Sequence, residues 1–297
     1  MNYYKMGDLT SRQTRFGEFS IFLSCLLFSI TSVTVKYAGC SFSGGFISFV
    51  RFAIGGLLSL CLVLAIKKSI RIRDPISLLL RGVLGSLAMV LAYIAIQTTG
   101  SGRAILLANT YPVFVVVFGY LFFKDKIRLN NLIGLAFCVV GVLFVCFDRS
   151  RYGIAGTLLA LGSGVTSGLA VHFIKKARAH NDIFIVYLSA CIFGVAASSF
   201  SAPEAAKIQS WNVLLPLIIV GVFALAGQLA MGYGYKYTTA VKGSIIGFTE
   251  IPLTILLSSF FGEEMKPRFF LGMAVIVIGL LINQNVFRFL KFRTNTA

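Results

Sequence analysis

The chain has 297 residues, of which 57% are apolar and only 12% are charged. Together with a mean hydropathy of +0.88, this composition excludes a soluble globular domain and indicates an integral membrane protein. A net charge of +17 would suit a nucleic-acid-binding protein. However, the basic residues are spread over short loops without forming a basic domain, so no nucleic-acid partner is predicted.

Apolar segments follow one another along the chain, separated by charged and turn residues. Each is close to the roughly 20 residues that a helix needs to cross the hydrocarbon core of a bilayer. They predict ten membrane spans, at residues 18–37, 44–66, 75–97, 102–123, 129–147, 153–173, 182–200, 212–235, 241–261 and 268–287. Because every span is a helix, the predicted fold class is an all-α integral membrane protein.

The basic residues are distributed unevenly between the two sides of this topology. Eighteen of the 27 Lys and Arg residues fall in loops on the side of the N-terminus, and seven fall on the other side. Arg51 and Arg81 lie in or just within spans and are not counted. The positive-inside rule then predicts a multi-pass protein of the cell (inner) membrane with both termini cytoplasmic, as a segment at 1–17 and a basic tail at 288–297.

The second half of the chain repeats the first half. Residues 104–145 and 244–281 share a proline (Pro112 and Pro252), a Phe-Phe pair, a charged turn and two glycines seven residues apart. The repeats are predicted at 18–148 and 153–287. Because five spans per repeat is an odd number, the second repeat is inverted in the membrane, a construction typical of secondary transporters.

Four segments carry a resemblance to a known family: LLFSITSVTVKYA ending at Ala38, FVRFAIGGLLSL at 49–60, ANTYPVF at 108–114 and FFGEE at 260–264. They resemble the EamA repeats of the drug/metabolite transporter superfamily. The resemblance implies ten transmembrane helices in two inverted five-helix EamA-type repeats, and commonly an exporter of amino acids or other small metabolites. The chain departs from the family pattern at Glu250, which lies two residues before Pro252 instead of one, and at the KDK turn of the first repeat.

Two charged residues are predicted inside spans. Glu250 is about nine residues into the ninth span, near mid-membrane, where a carboxyl group faces a partner or a water-filled cavity. It is the candidate proton- or cation-coupling residue, and a purely structural acid is the alternative. Arg51 is a candidate for binding a substrate carboxylate, or else a structural arginine paired with a buried acid such as Glu250.

Pro112 and Pro252 predict helix kinks at matched positions of the two repeats, because each removes a backbone donor. Bent helices at matched positions point to the binding region of carriers, although a kink can also serve packing alone. The polar residues beside the kinks, and those of the equivalent helix in each repeat, are candidate substrate ligands or interhelical hydrogen-bond donors: Tyr93, Asn109, Thr110, Tyr111, Gln228, Tyr233 and Thr249.

No catalytic residues, cofactor or metal site are predicted. His172 is expected near the end of the sixth span and His180 in the loop that follows, without the acids a metal site needs. The dispersed cysteines form no CxxC pair, and there is no Walker loop. The glycines are interpreted as helix-packing positions, and Asn283 is expected at the membrane surface without a special role.

The predicted function is secondary transport of a small organic metabolite, amino acid-like or a drug. Export by alternating access, coupled to protons or to the solute gradient, is the leading version. An importer or exchanger of a nucleotide-like or cofactor-like metabolite is the first alternative, and a lipid scramblase or a membrane scaffold is the second. The partners are the solute and the lipid bilayer; the oligomeric state is open, with a homodimer as one option.

Overall fold

The computed structural model describes residues 11–67, 71–99, 107–125, 127–146, 154–260 and 267–283. These residues form helices and connecting turns, without strands. The helices are α1 Ser11–Ala38, α2 Gly44–Ala65, α3 Pro75–Thr99, α4 Tyr111–Leu121, α5 Leu129–Cys146, α6 Ile154–His180, α7 Ile183–Ser198, α8 Trp211–Tyr237, α9 Ala240–Gly247, α10 Glu250–Phe260 and α11 Pro267–Asn283; a 3₁₀ segment, Ser199–Lys207, follows α7.

The helices have the dimensions of a multi-pass membrane protein. Within the described residues, seven helical segments are long and apolar enough to cross a bilayer, one of them formed by α9 and α10 together. Three further apolar helices are shorter: α4, most of α5 and most of α11. Large apolar side chains such as Leu57 and Tyr120 are more than 60% exposed, which suits a surface that faces lipid.

Several helix ends differ from the prediction. Helix α1 begins at Ser11, and α6 continues to His180, so His180 ends a helix and does not lie in a loop. His172 is buried inside α6, where its Nε2 atom lies 2.9 Å from the carbonyl oxygen of Val115. The start of the fourth predicted span, the FFGEE turn after Phe260 and the basic tail lie outside the described residues.

The helices of the two halves pack in pairs that interchange. Helix α1 packs along α8 and α3 packs along α6, while α2 packs on α7 and α5 on α11. Exchanging α1–α3 with α6–α8 turns the first of these pairs into the second, and it leaves the α2–α7 pair unchanged. This is the packing expected of two similar repeats related by a two-fold axis.

Both proline-bearing helices are interrupted just before the proline. The turn at Asn109–Thr110 precedes α4, and the turn at Phe248–Thr249 separates α9 from α10. Pro112 and Pro252 therefore lie in the first turn of the following helix, where a backbone N–H has no intrahelical acceptor and its loss costs little. The positions predicted as kinks are thus interruptions of the helix.

Helices α5 and α11 are in backbone contact through glycines of the two repeats. A Cβ on Gly279 would lie 2.7 Å from the carbonyl oxygen of Gly134, and a Cβ on Gly141 would lie 2.7 Å from that of Gly272. Asn283, at the end of α11, is fully buried beside this contact, and its Nδ2 donates to the carbonyl oxygen of Lys242 at 3.4 Å. The expectation that Asn283 lies at the surface is therefore wrong.

We expect Gly279→Ala to destabilise the protein by about 1–3 kcal/mol, because neither backbone can move aside for the added methyl group. Gly162→Ala is the matched control. A Cβ there would meet only Leu91 Cδ1, at 3.6 Å, so the control is expected to be neutral or slightly stabilising. Thermal unfolding of the two purified variants measures the difference, and equal melting temperatures would contradict the prediction.

Asp74 caps the start of α3. Its Oδ1 accepts from the backbone N–H of Ser77 at 3.1 Å. Next to it, the backbone N–H of Arg73 donates to Oδ1 of Asn181, in the loop between α6 and α7, at 2.9 Å. Partial burial raises the pKa of Asp74, but the hydrogen bonds from Ser77 and the charges of Lys176 and His180 outweigh it, so the net pKa is lowered.

We expect Asp74→Ala to lower stability by about 1 kcal/mol at neutral pH, through loss of the cap. Because the folded-state pKa is lowered, the carboxylate stabilises the protein above its unfolded pKa of about 3.9. That stabilisation is lost as the pH falls through the folded-state pKa. Melting temperatures measured from pH 7 to pH 3 should converge for the wild type and Asp74→Asn, which keeps a cap acceptor and cannot titrate. A constant difference would argue against this role.

Candidate functional site

A cavity of about 150 Å³ lies where the two repeats meet. Its walls come from the four helices that form the interchanging pairs, α1, α3, α6 and α8, from Arg51 of α2, and from the two helix interruptions. Six of the residues predicted from sequence line it: Arg51, Tyr93, Asn109, Tyr111, Gln228 and Glu250. The cavity is thus built from matched parts of both repeats.

Three other predicted ligands do not line this cavity. The hydroxyl groups of Thr110 and Thr249 donate, each at 2.6 Å, to backbone carbonyl oxygens three residues earlier in their own helix turns. Tyr233 is 42% exposed on the outer face of α8 and contacts Tyr237 with the rings tilted, their centroids 5.1 Å apart. All three remain predictions without support from the cavity geometry.

Arg51 projects from α2 into the cavity and is only 3% exposed. Its Nη1 donates to the hydroxyl of Tyr93 at 2.6 Å and to the sulfur of Met89 at 3.1 Å. Among the described residues, Arg51 and Glu250 make no ion pair within 4.0 Å. Arg51 is therefore held by neutral groups of α3.

Arg81 is a cavity residue that the sequence analysis did not single out. It is 4% exposed, and its Nη2 donates to Oε1 of Gln228, on α8, at 2.8 Å. Its Nη1 occupies the space beside Gly85, where a Cβ would clash with it. Its position six residues into a predicted span does not mark Arg81 as a cavity residue. The glycine one turn later is a local signal of the space that its side chain needs.

Glu250 is the first residue of α10. Its Oε1 atom accepts from the hydroxyl of Ser32, on α1, at 3.4 Å, and its backbone carbonyl accepts from Ser29 at 3.1 Å. An ionised carboxylate is favoured at a helix N-terminus, whereas burial favours the protonated form. These two influences act on the carboxyl group in opposite directions.

The two helix interruptions touch each other at the cavity. The hydroxyl of Tyr111, at the start of α4, lies against Gly247, the last residue of α9, and leaves no room for a Cβ there. Both residues line the cavity. The residues that flank the two interruptions are therefore in direct contact.

At one end of the cavity, called the closed end below, the start of α1 packs tightly against the end of α8. A Cβ on Gly17 would lie 2.8 Å from Cβ of Tyr237. Close by, Glu18 pairs with Lys242 of α9, and Lys175 of α6 donates to the carbonyl oxygen of Thr238 at 2.8 Å. At this end an ion pair therefore joins α1 to α9, and a charge-assisted hydrogen bond joins α6 to the residue that follows α8.

Known proteins are similar to this chain in sequence and in fold. Solute carrier family 35 member G1 of Mus musculus is 26% identical over 300 residues, which cover 93% of this chain and 79% of the relative. The pseudopaline exporter CntI of Pseudomonas aeruginosa is 25% identical over 263 residues, covering 86% and 91%. A solved crystal structure has the same fold, with a TM-score of 0.73 at 17% identity over 95% of this chain and 99% of the other.

The sequence profile of the EamA-like transporter family matches the chain twice, at residues 15–147 and 154–284. The two matches leave only short segments uncovered, and they confirm the resemblance to EamA repeats noted in the sequence. The helical packing and the cavity between the halves are those of a membrane carrier. The chain therefore belongs to the EamA-like transporter family.

Proposed function

We propose that the protein exports a small organic metabolite by alternating access, as a carrier and not as an enzyme. The observation that supports this most strongly is the cavity, because matched helices and matched interruptions of both repeats line it. In such a site, rocking one repeat against the other exposes the same residues first to one side of the membrane and then to the other. The proposal includes ten membrane crossings in two inverted halves.

In this proposal the closed end is the cytoplasmic gate. The Glu18–Lys242 pair and the Lys175 contact would have to break for the solute to enter from the cytoplasm. Glu250 would take up or release a proton as the cavity changes its access. The outward direction is supported by one relative, which is a pseudopaline exporter.

Release of metabolites from proteoliposomes tests the proposal. Liposomes that contain the purified protein are loaded with a polar metabolite extract, and mass spectrometry of the external medium identifies what leaves faster than from protein-free liposomes. Ala92→Trp, which fills the cavity wall, should stop the release, whereas Leu57→Trp, on the 64% exposed outer surface, should not. The amount of solute excreted by cells that contain the protein, compared with cells that lack it, then gives the direction of transport.

The proposal is contradicted if liposomes that contain the folded protein release metabolites no faster than protein-free liposomes. A fluorescent-lipid scrambling assay on the same liposomes would then test the lipid scramblase alternative. Net uptake into cells, instead of excretion, would favour the importer or exchanger.

A further inference from the structure

The charges that line the cavity do not balance. Among the described residues, its charged groups are the guanidinium groups of Arg51 and Arg81 and the carboxyl group of Glu250. Arginine stays protonated in proteins. Even with Glu250 ionised, the cavity therefore carries one excess positive charge, and with Glu250 protonated it carries two.

Neutral groups hold both arginines in place without neutralising them. Arg51 donates to a tyrosine hydroxyl and a methionine sulfur, and Arg81 donates to a glutamine amide oxygen. In the part of the chain that the structure describes, the Nε atoms of both arginines are buried without an acceptor. An uncompensated charge with unpaired donors is expensive at mid-membrane unless a ligand completes the set.

The two guanidinium groups line the same cavity and, as like charges in one low-dielectric site, they repel each other. Each is more than nine-tenths buried and lines the cavity. An anion placed between them would relieve this repulsion and accept the free N–H groups, since the planar fork of arginine matches the geometry of a carboxylate. The cavity is therefore built to hold a negative group.

We propose that the transported solute is an organic acid whose carboxylate binds between Arg51 and Arg81. This inference rests on the proposed transport function and names its substrate class. A single negative charge balances the cavity when Glu250 is ionised, whereas a phosphate monoester, with about −1.5 to −2 charges at pH 7, balances it only when Glu250 is protonated. With Glu250 ionised, the carboxylate is therefore the better match.

Arg81 lies between two cavities. Together with Gln228 it also lines an adjoining cavity of about 10 Å³, bounded by Ile183 and Gly232 near the closed end. That volume is close to the minimum for one water molecule. Arg81 therefore lies between the main cavity and this smaller space.

Charge-matched probes test the substrate class. Thermal unfolding of the purified full-length protein is measured with N-acetylalanine and N-acetylphenylalanine as carboxylates, with their neutral N-acetyl amides, with the cationic alaninamide and phenylalaninamide, and with phenyl phosphate. A ligand that binds the folded state raises its melting temperature. We expect carboxylates to stabilise the protein, and their amide and amine counterparts to leave it unchanged.

Two variants and one control test whether Arg81 is part of the anion site. Arg81→Gln removes the charge, and Gly85→Ala keeps the charge but displaces the guanidinium; each should weaken carboxylate binding by about 10- to 100-fold. Arg178→Gln is the matched control, since Arg178 is buried and donates to the carbonyl oxygens of Gly232 and Asn181 without lining the cavity. Its carboxylate affinity should stay within about 2-fold of the wild type, well below the effect of losing a charge-assisted hydrogen bond.

The proposal is overturned by stabilisation from amides, amines or phenyl phosphate in place of carboxylates, by no stabilisation from any carboxylate, or by unchanged affinity in both cavity variants. Transport is scored separately, by counterflow in proteoliposomes. Binding of a carboxylate without counterflow would refute transport and leave the anion site standing. Counterflow of only neutral or cationic solutes would refute the anion site and leave transport standing.

Discussion

Replacement of Glu250 by Gln is expected to abolish the pH dependence of net transport while solute exchange continues. Gln keeps the size of the side chain and an oxygen that can accept from Ser32, as Glu250 Oε1 does at 3.4 Å, but it cannot bind or release a proton. Exchange needs no net proton movement, so labelled solute should still exchange for unlabelled solute. Net accumulation driven by a pH gradient should fall to the rate without a gradient.

Proteoliposomes with and without an imposed pH gradient make this measurement, with a solute found by the metabolite-release experiment. Glu18→Gln is the matched control, because Glu18 pairs with Lys242 at the closed end and does not line the cavity. That variant should keep its response to the gradient even if its rate changes. A gradient response that persists in Glu250→Gln would remove Glu250 from the coupling step.

A methyl group added at Gly247 is expected to impair both stability and transport. Its Cβ would collide with the hydroxyl of Tyr111 and lie 3.0 Å from the ring carbon Cζ, so the two interruptions could no longer meet. We expect Gly247→Ala to cost about 1–3 kcal/mol of stability, as overpacking does. Transport should fall more than the melting temperature alone explains, since the contact joins the two helices that change direction at the cavity.

The second variant isolates the cause. Tyr111→Phe removes the colliding hydroxyl but also its hydrogen bond with Tyr235, so Tyr111→Phe alone should cost some stability. The double variant should nevertheless lose less stability than the sum of the two single substitutions. The coupling energy from this double-mutant cycle measures the contact. Additive effects of the two substitutions would show that the interruptions act independently.

The sequence predicts the parts of this fold that depend on one-dimensional patterns. Apolar length gives most of the long helices, and the matched prolines mark both interruptions, because a proline fits the first turn of a helix better than its interior. Glu250 is found in the same way, since a carboxyl group far from the ends of an apolar segment has few structural reasons to be there.

Residues whose role depends on helix phase and on distant partners are predicted less well. Adjacent helical residues point about 100° apart, and an interruption resets the phase, so Asn109 and Tyr111 line the cavity while Thr110 between them does not. Arg81 depends on Gln228, which lies in the other repeat. Asn283 is buried only because α11 packs on α5 and the start of α9, and no local signal reports that packing.

The interchanging helix pairs have a consequence for how the chain is made. Helix α1 is synthesised first, but its main packing partner α8 follows only after α2 to α7. At about 5–20 residues per second, this delay is on the order of 10 s or more. During this delay, Cys25 and Ser29, which are buried in the finished protein, cannot yet pack against helices of the second repeat. Each repeat therefore completes its main helix contacts only with the other, and α1 is without its main packing partner until the last third of the chain is made.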